Sequence, residues 1–195
     1  MTEIGTDLIK ALREETGVSV MQCKKALEEA GGDMDKAKVI LRKLSSAIAG
    51  KKSDRTLGAG VAAAYTHAGG AVVGTVVLMT ETDFVSKNEG FAKLAYDIAM
   101  HVAAMRPQFK TREDIKESDI KAAREVFEKE VEGIPMPARE KALSGKLDSY
   151  LAERVLLDQP FVKDPNITVR QLIELAVQKF GEKIEVARFE RLSVR

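Results

Sequence analysis

Along residues 6 to 45, apolar positions recur every three or four residues in three short blocks, the pattern of amphipathic helices. Thr6 is placed to cap the first block, whose apolar side carries Leu8 and Leu12, and Gly17 is placed to end it. Ser19 opens the second, and Gln22 three residues later completes a capping box. Val20, Cys23, Leu27 and Ala30 then share one face, with Gly31 as the stop. Asp33 caps the third block, where Ala37, Ile40, Leu41 and Leu44 form the stripe. Three helices in so few residues make a minimal bundle, marginal by itself and suited to a tethered docking module. Residues 46–60 then break the period. Small residues, the basic group Lys51, Lys52 and Arg55, and two late glycines predict a solvated linker.

Beyond the linker the pattern predicts a hairpin. Val61 to Thr66 reads as a short strand, His67-Ala68-Gly69-Gly70 as the turn, and Ala71 to Thr80 as a long β-branched strand. That strand leaves through Glu81-Thr82-Asp83 into a helix from about Asn88 to Met105, with Phe91, Leu94, Ala95, Ile98, Val102 and Met105 on its inner face. Pro107 ends it. Residues 119 to 132 predict an exposed helix with Ile120, Ala123, Phe127 and Val131 inward; Pro135 and Pro137 punctuate, and another helix runs to about Leu157. Gln159-Pro160-Phe161-Val162 reads as a turn, and Thr168 caps a helix closed by Gly181. Lys183 to Val194 alternates around Ile184, Val186 and Phe189, a natural third strand for the hairpin. The expected fold is α+β: a three-helix N-terminal domain (1–45), a linker (46–60), and a core (61–195) in which a small antiparallel β-sheet of about three strands packs with helices.

Composition narrows the function. An apolar share of 45% over 195 residues supports a packed fold, and 31 basic against 30 acidic residues disfavours nucleic acid or an anionic membrane as the main partner. The single cysteine, Cys23, permits no internal disulfide and no thiolate metal cage. Met1-Thr2-Glu3-Ile4-Gly5-Thr6-Asp7 lacks the regions of a signal peptide, and no apolar run approaches a membrane span, so the expected location is cytoplasmic. Asn166-Ile167-Thr168 matches a glycosylation sequon, which matters only in a secreted chain.

Enzymatic readings are weak. Gly69 followed by Gly74-Thr75 has a superficial look of a phosphate loop, but the lysine is missing and the segment is a hairpin. Cys23 lies on an apolar stripe and reads as a structural thiol. His101 follows Asp97 by one helical turn, which could form a His–carboxylate pair, yet no Ser or Cys nucleophile accompanies it. No cofactor and no catalytic residue is expected. At the corner Thr82-Asp83-Phe84-Val85, two readings stay open on residues alone. Asp83 can cap the following helix while Phe84 folds back beneath it as a staple. The residues by themselves favour that reading, yet an aromatic ring and a valine beside a carboxylate are also what a wedge into a partner requires. Met21 and Arg13 project from the bundle away from its inner stripe, and His67 sits at a hairpin tip; each is a candidate contact.

Thr82-Asp83-Phe84-Val85-Ser86-Lys87-Asn88-Glu89-Gly90-Phe91 resembles the signature of the bacterial elongation factor Ts family. Leu12-Arg13-Glu14-Glu15-Thr16-Gly17, Met21-Gln22-Cys23-Lys24-Lys25-Ala26-Leu27, Ile98-Ala99-Met100-His101-Val102-Ala103-Ala104 and Gln159-Pro160-Phe161-Val162 resemble further stretches, in order, over nearly the whole chain. The resemblance implies a ubiquitin-associated-like N-terminal bundle and a guanine-nucleotide exchange factor for the GTPase elongation factor Tu, in protein synthesis. It implies that Asp83 and Phe84, flanked by Thr82 and Val85, intrude beside the partner's Mg²⁺ site and promote GDP release. Arg13, Val20 and Met21 align with N-terminal contact positions and His67 with one in the core.

Longer members carry a duplicated core and a coiled-coil insertion, whereas this chain resembles the short members, which act as homodimers. Val20 stands where Met is common. No direct contact with nucleic acid or membrane is implied. Two other classes remain as alternatives: a ubiquitin-associated-like adaptor without exchange activity, and a small hydrolase using His101 and Asp97.

Overall fold

The computed structural model describes residues 4–136 and 138–194, so the expectations attached to Met1-Thr2-Glu3 and to Pro137 lie outside the described residues. In chain order the elements are α1 (Thr6–Thr16), α2 (Val20–Glu29), α3 (Met34–Gly50), β1 (Ala59–His67), β2 (Val72–Thr80), α4 (Asp83–Ser86), α5 (Glu89–Met105), α6 (Glu117–Glu130), α7 (Ala138–Ala152), β3 (Pro160–Phe161), β4 (Asp164–Thr168), α8 (Val169–Phe180) and β5 (Ile184–Ser193). The fold is α+β, with N-terminal helices followed by a small antiparallel sheet in the order β1-β2-β5, packed with helices. The chain forms two compact units, one of Met1–Ala63, Val76–Asp97 and Arg170–Ala187, the other of Ala64–Thr75, Ile98–Val169 and Arg188–Arg195.

In the first unit, α1, α2 and α3 enclose a cluster of Ile9, Leu12, Val18, Cys23, Ala26, Leu27, Ala37 and Leu41. Asp33 caps α3 as expected, its carboxylate accepting from the N–H groups of Asp35 and Lys36. Other details differ from the expectation. Gly5, not Thr6, is the cap of α1, and Ile9 rather than Leu8 joins Leu12 inside. Ser19 accepts from the Gln22 N–H, but Gln22 answers with its side chain on the serine hydroxyl, not on the Ser19 backbone. Val20 is half exposed: once Cys23, Ala26, Leu27 and Ala30 define the inner face of α2, it falls about 70° from the centre of that face.

α3 runs on through Ser45 to Gly50, so the first residues of the expected linker are helical. Ser45 is fully buried and bonds to Gln178 of α8, Ser46 donates to Glu174 at 3.3 Å, and Leu175 packs against the bundle cluster. Lys52 donates to the Gly181 carbonyl at 2.8 Å. The bundle is thus fastened to α8 by side chains as well as by the chain. Val76, Leu78, Phe91, Leu94, Ala95, Ile184 and Val186 are buried in the same unit, and Phe91 meets Phe180 edge to face at 6.1 Å.

In the second unit, β1 turns into β2 through Ala68–Gly70, a single 3₁₀ turn with positive φ at all three residues. α5 crosses β2 at Gly74, where a Cβ would stand 2.2 Å from the Ala99 carbonyl and 2.7 Å from the Ala103 nitrogen. Backbone meets backbone there, and only glycine leaves the space. Met105, expected inward, is 41% exposed at the end of α5. The expected turn around Gln159 is instead a small ladder, β3 pairing antiparallel with β4. α6 and α7 are clipped together by Phe127 on Tyr150 at 5.5 Å and by the pairs Arg124–Glu140 and Lys146–Glu130. Because the atoms facing Gly74 are main chain, they cannot turn aside. Gly74→Ala is expected to lower stability by roughly 3 kcal/mol, read as a reduced midpoint in urea unfolding.

Candidate partner-binding site

β2 ends at Thr80, and after the extended Thr82 the chain makes one helical turn, α4, before α5 begins. Asn88 starts α5 by accepting from the Gly90 N–H at 2.8 Å. Asp83 therefore has no part in capping α5. Its carboxylate pairs instead with Lys87, one turn on, at 2.6 Å, and that hydrogen bond and charge hold its pKa below the ordinary value. Val85 is buried, whereas Phe84 is 83% exposed. The staple reading is excluded, since the ring stands in solvent. Of the four residues at the corner, Asp83 and Phe84 are presented and Val85 is an anchor.

A second anchor was not legible in the sequence. The Glu182 carboxylate, just beyond α8, accepts from the Thr80 hydroxyl at 2.7 Å, the Thr82 hydroxyl at 2.6 Å and the Thr82 N–H at 3.0 Å. Reciprocally, Glu81 accepts from the Lys183 N–H at 2.5 Å and from Arg55 at 3.2 Å. Burial alone would raise the Glu182 pKa, but the threonine hydroxyls and backbone N–H groups outweigh it and hold the carboxyl below its ordinary value. The Lys183 N–H, followed by Arg55, depresses Glu81 in the same way. Lys183 also reaches back to the Ser53 carbonyl at 2.7 Å.

The other predicted contacts fall elsewhere. Val20, on the flank of α2, and Met21, on its outer side, are 50% and 68% exposed, and Arg13 is exposed in the last turn of α1. His67 belongs to the second unit, exposed at the hairpin tip, where its ring stacks on Tyr65 and its Nδ1 lies 3.2 Å from the tyrosine hydroxyl.

His101 is fully buried. Its Nδ1 accepts from the Val162 N–H at 3.1 Å, so the proton sits on Nε2, which donates to Gln159 Oε1 at 2.8 Å. Gln159 in turn donates to the Met105 and Glu153 carbonyls. Both ring nitrogens are thus committed to structure, while Asp97 pairs with Lys93 at 3.5 Å. The His101–Asp97 hydrolase pair does not form. Cys23 is buried with its pKa raised by burial, as a structural thiol is. Among the described residues no group of three or more His, Cys, Asp or Glu side chains could hold a metal ion, and no helix is long and apolar enough to cross a membrane.

The family model described as elongation factor TS matches residues 34–195. The chain belongs to the elongation factor Ts family. Elongation factor Ts of Desulforamulus reducens is 44% identical over 193 residues, covering 98% of this chain and 89% of that protein. Those of Herpetosiphon aurantiacus and Thermotoga petrophila are each 42% identical, and the match spans 98% and 96% of their respective lengths. The chain is therefore of the same length class as these elongation factor Ts relatives, and its place is among translation elongation factors.

The His101 network has a pH signature. Burial holds its pKa below the ordinary value of about 6.5, so the unfolded chain takes up the proton first as pH falls. This contribution to stability is complete above about pH 6.5 and declines below it. His101→Phe is expected to flatten that part of the stability–pH curve, followed by urea unfolding, while costing roughly 1–3 kcal/mol at pH 7 for the bonds left unmade.

Proposed function

We propose that this chain is a guanine-nucleotide exchange factor for elongation factor Tu, acting in the cytoplasm without active-site chemistry of its own. The observation that carries the reading is Phe84, exposed on a single helical turn whose neighbours Thr82 and Val85 are both tied down. An aromatic ring held this way loses little conformational freedom on docking, and its burial in a partner is worth roughly 1.5–3 kcal/mol. That is enough to shift a competing equilibrium about tenfold or more.

In this reading Phe84 enters a pocket beside the partner's Mg²⁺ site, and Asp83, released from Lys87, competes for the cations and N–H groups that hold phosphate and metal. Nucleotide and exchange factor weaken one another's binding equally, because the coupling is reciprocal. Val20, Met21 and Arg13 form the accessory contact of the bundle, where two exposed apolar side chains lie together on one helix. His67 is proposed as a further contact, with the Tyr65 ring beneath it. The chain works as a homodimer, as its resemblance to the short members suggests. The half-buried Val61, Val77 and Met79 supply apolar surface that one chain alone leaves partly in water.

Phe84→Ala is expected to melt as the wild type does and to stimulate release of labelled GDP from elongation factor Tu at least about tenfold less; undiminished stimulation by the folded variant would overturn the proposal. Light scattering at micromolar concentration is expected to give twice the chain mass, and a clean monomer would remove the dimer.

A further inference from the structure

We infer that Glu182 is a positioning residue for the Asp83–Phe84 tip, holding Thr82 through two hydrogen bonds and Thr80 through a third so that α4 is aimed before any partner arrives. The inference rests on the exchange reading for its functional consequence, but its structural part stands separately. Thr82 is the residue before α4, and its carbonyl accepts from the Ser86 N–H at 3.3 Å, so fixing Thr82 fixes the start of that turn. The Thr82 side chain makes no cap bond to its own helix. Its hydroxyl is turned to Glu182 Oε1, while Oε2 takes the Thr82 N–H and the Thr80 hydroxyl. A four-residue helix cannot hold itself in water. What holds it here is the buried Val85 on one side and Glu182 on the other.

The same turn is tied to the connection that follows the bundle. Gly181 accepts from Lys52 and Lys183 reaches Ser53, both in the connection after α3, while Arg55 farther along that connection pairs with Glu81. Glu182 sits in the chain between Gly181 and Lys183, which make those contacts, and itself receives Thr82. The geometry also separates position from charge. A glutamine could place Oε1 where Oε2 now lies and donate from Nε2 to the Thr82 hydroxyl, which can act as acceptor. All three bonds survive that change, and only the negative charge is lost.

The test uses the full-length wild type, Glu182→Ala, Glu182→Gln, Phe84→Ala and the Glu182→Ala/Phe84→Ala double variant. Hydrogen exchange of the free proteins reads the tip directly. The Ser86 and Lys87 amides are expected to exchange about tenfold faster in Glu182→Ala and near the wild-type rate in Glu182→Gln. Maximal GDP release from elongation factor Tu is expected to fall about tenfold in Glu182→Ala, to stay within about threefold of wild type in Glu182→Gln, and to be no lower in the double variant than in Phe84→Ala.

Unchanged amide exchange in a folded Glu182→Ala protein would overturn the inference. So would a Glu182→Gln variant as impaired as Glu182→Ala, which would mean the charge acts, or a double variant losing the product of the two single effects. Should Glu182→Ala not fold, Thr80→Val keeps the shape, removes one of the three bonds, and is to speed the same amides about threefold; no change would count against the inference. If the tip loosens in Glu182→Ala while Phe84→Ala exchanges GDP like wild type, Glu182 positions the tip but the tip is not the exchange element.

Discussion

Two glutamates, Glu81 just after β2 and Glu182 just after α8, each accept from residues beside the other, and the corner Thr82–Val85 depends on that exchange. Glu182 receives Thr80 and Thr82; Glu81 receives Lys183. Each carboxylate has several donors, which keeps it ionised although partly withdrawn from water. A corner bound in this way can display a large apolar ring at low risk of collapse, because the backbone around the ring has no slack with which to fold it inward. An isolated turn of four residues with an exposed phenylalanine would otherwise bury the ring locally or unwind.

The rest of the first unit serves the same corner. α8 is braced against the bundle through Leu175, Gln178 and Glu174, and it delivers Gly181 and Glu182 to the end of β2. The second unit meets a different demand. There a buried histidine is a mechanical part: His101 ties α5 to the start of the β3–β4 ladder through Val162 and Gln159, and its neutral state is the one the bonds require. Gly74 permits the close crossing of α5, the helix that carries His101, over β2.

How much of this was legible in the sequence follows from how far each constraint reaches. The hairpin, the core helix and the last strand are written in periodicity, and they appear with ends shifted by a few residues. Periodicity misjudged residues at the border of a stripe: Leu8, Val20 and Met105 satisfy the spacing but lie on the flank or the end of their helices. The α3 extension was hidden because Ser45 and Ser46 look like linker residues until Gln178 and Glu174 are brought opposite them. Gln159 and Glu182 were missed for the same reason, since their partners lie about sixty and a hundred residues away. The tip itself was legible only as a corner. Its direction, Phe84 outward and Val85 inward, came from three-dimensional neighbours.

The ion pair between Asp83 and Lys87 has a kinetic side. A lone carboxylate beside the ring would project a field that attracts or repels an approaching surface at distances near the Debye length, about 8 Å at physiological salt. With Lys87 at 2.6 Å the two charges largely cancel at that range, and the whole chain carries a formal charge of only +1. This pair itself therefore contributes little to electrostatic steering of an approaching surface. On the proposed function, the Asp83 carboxylate, ionised throughout, would be uncovered only where docking draws Lys87 away. The ion pair thus masks the Asp83 charge in solution, and on that reading docking unmasks a charge already present.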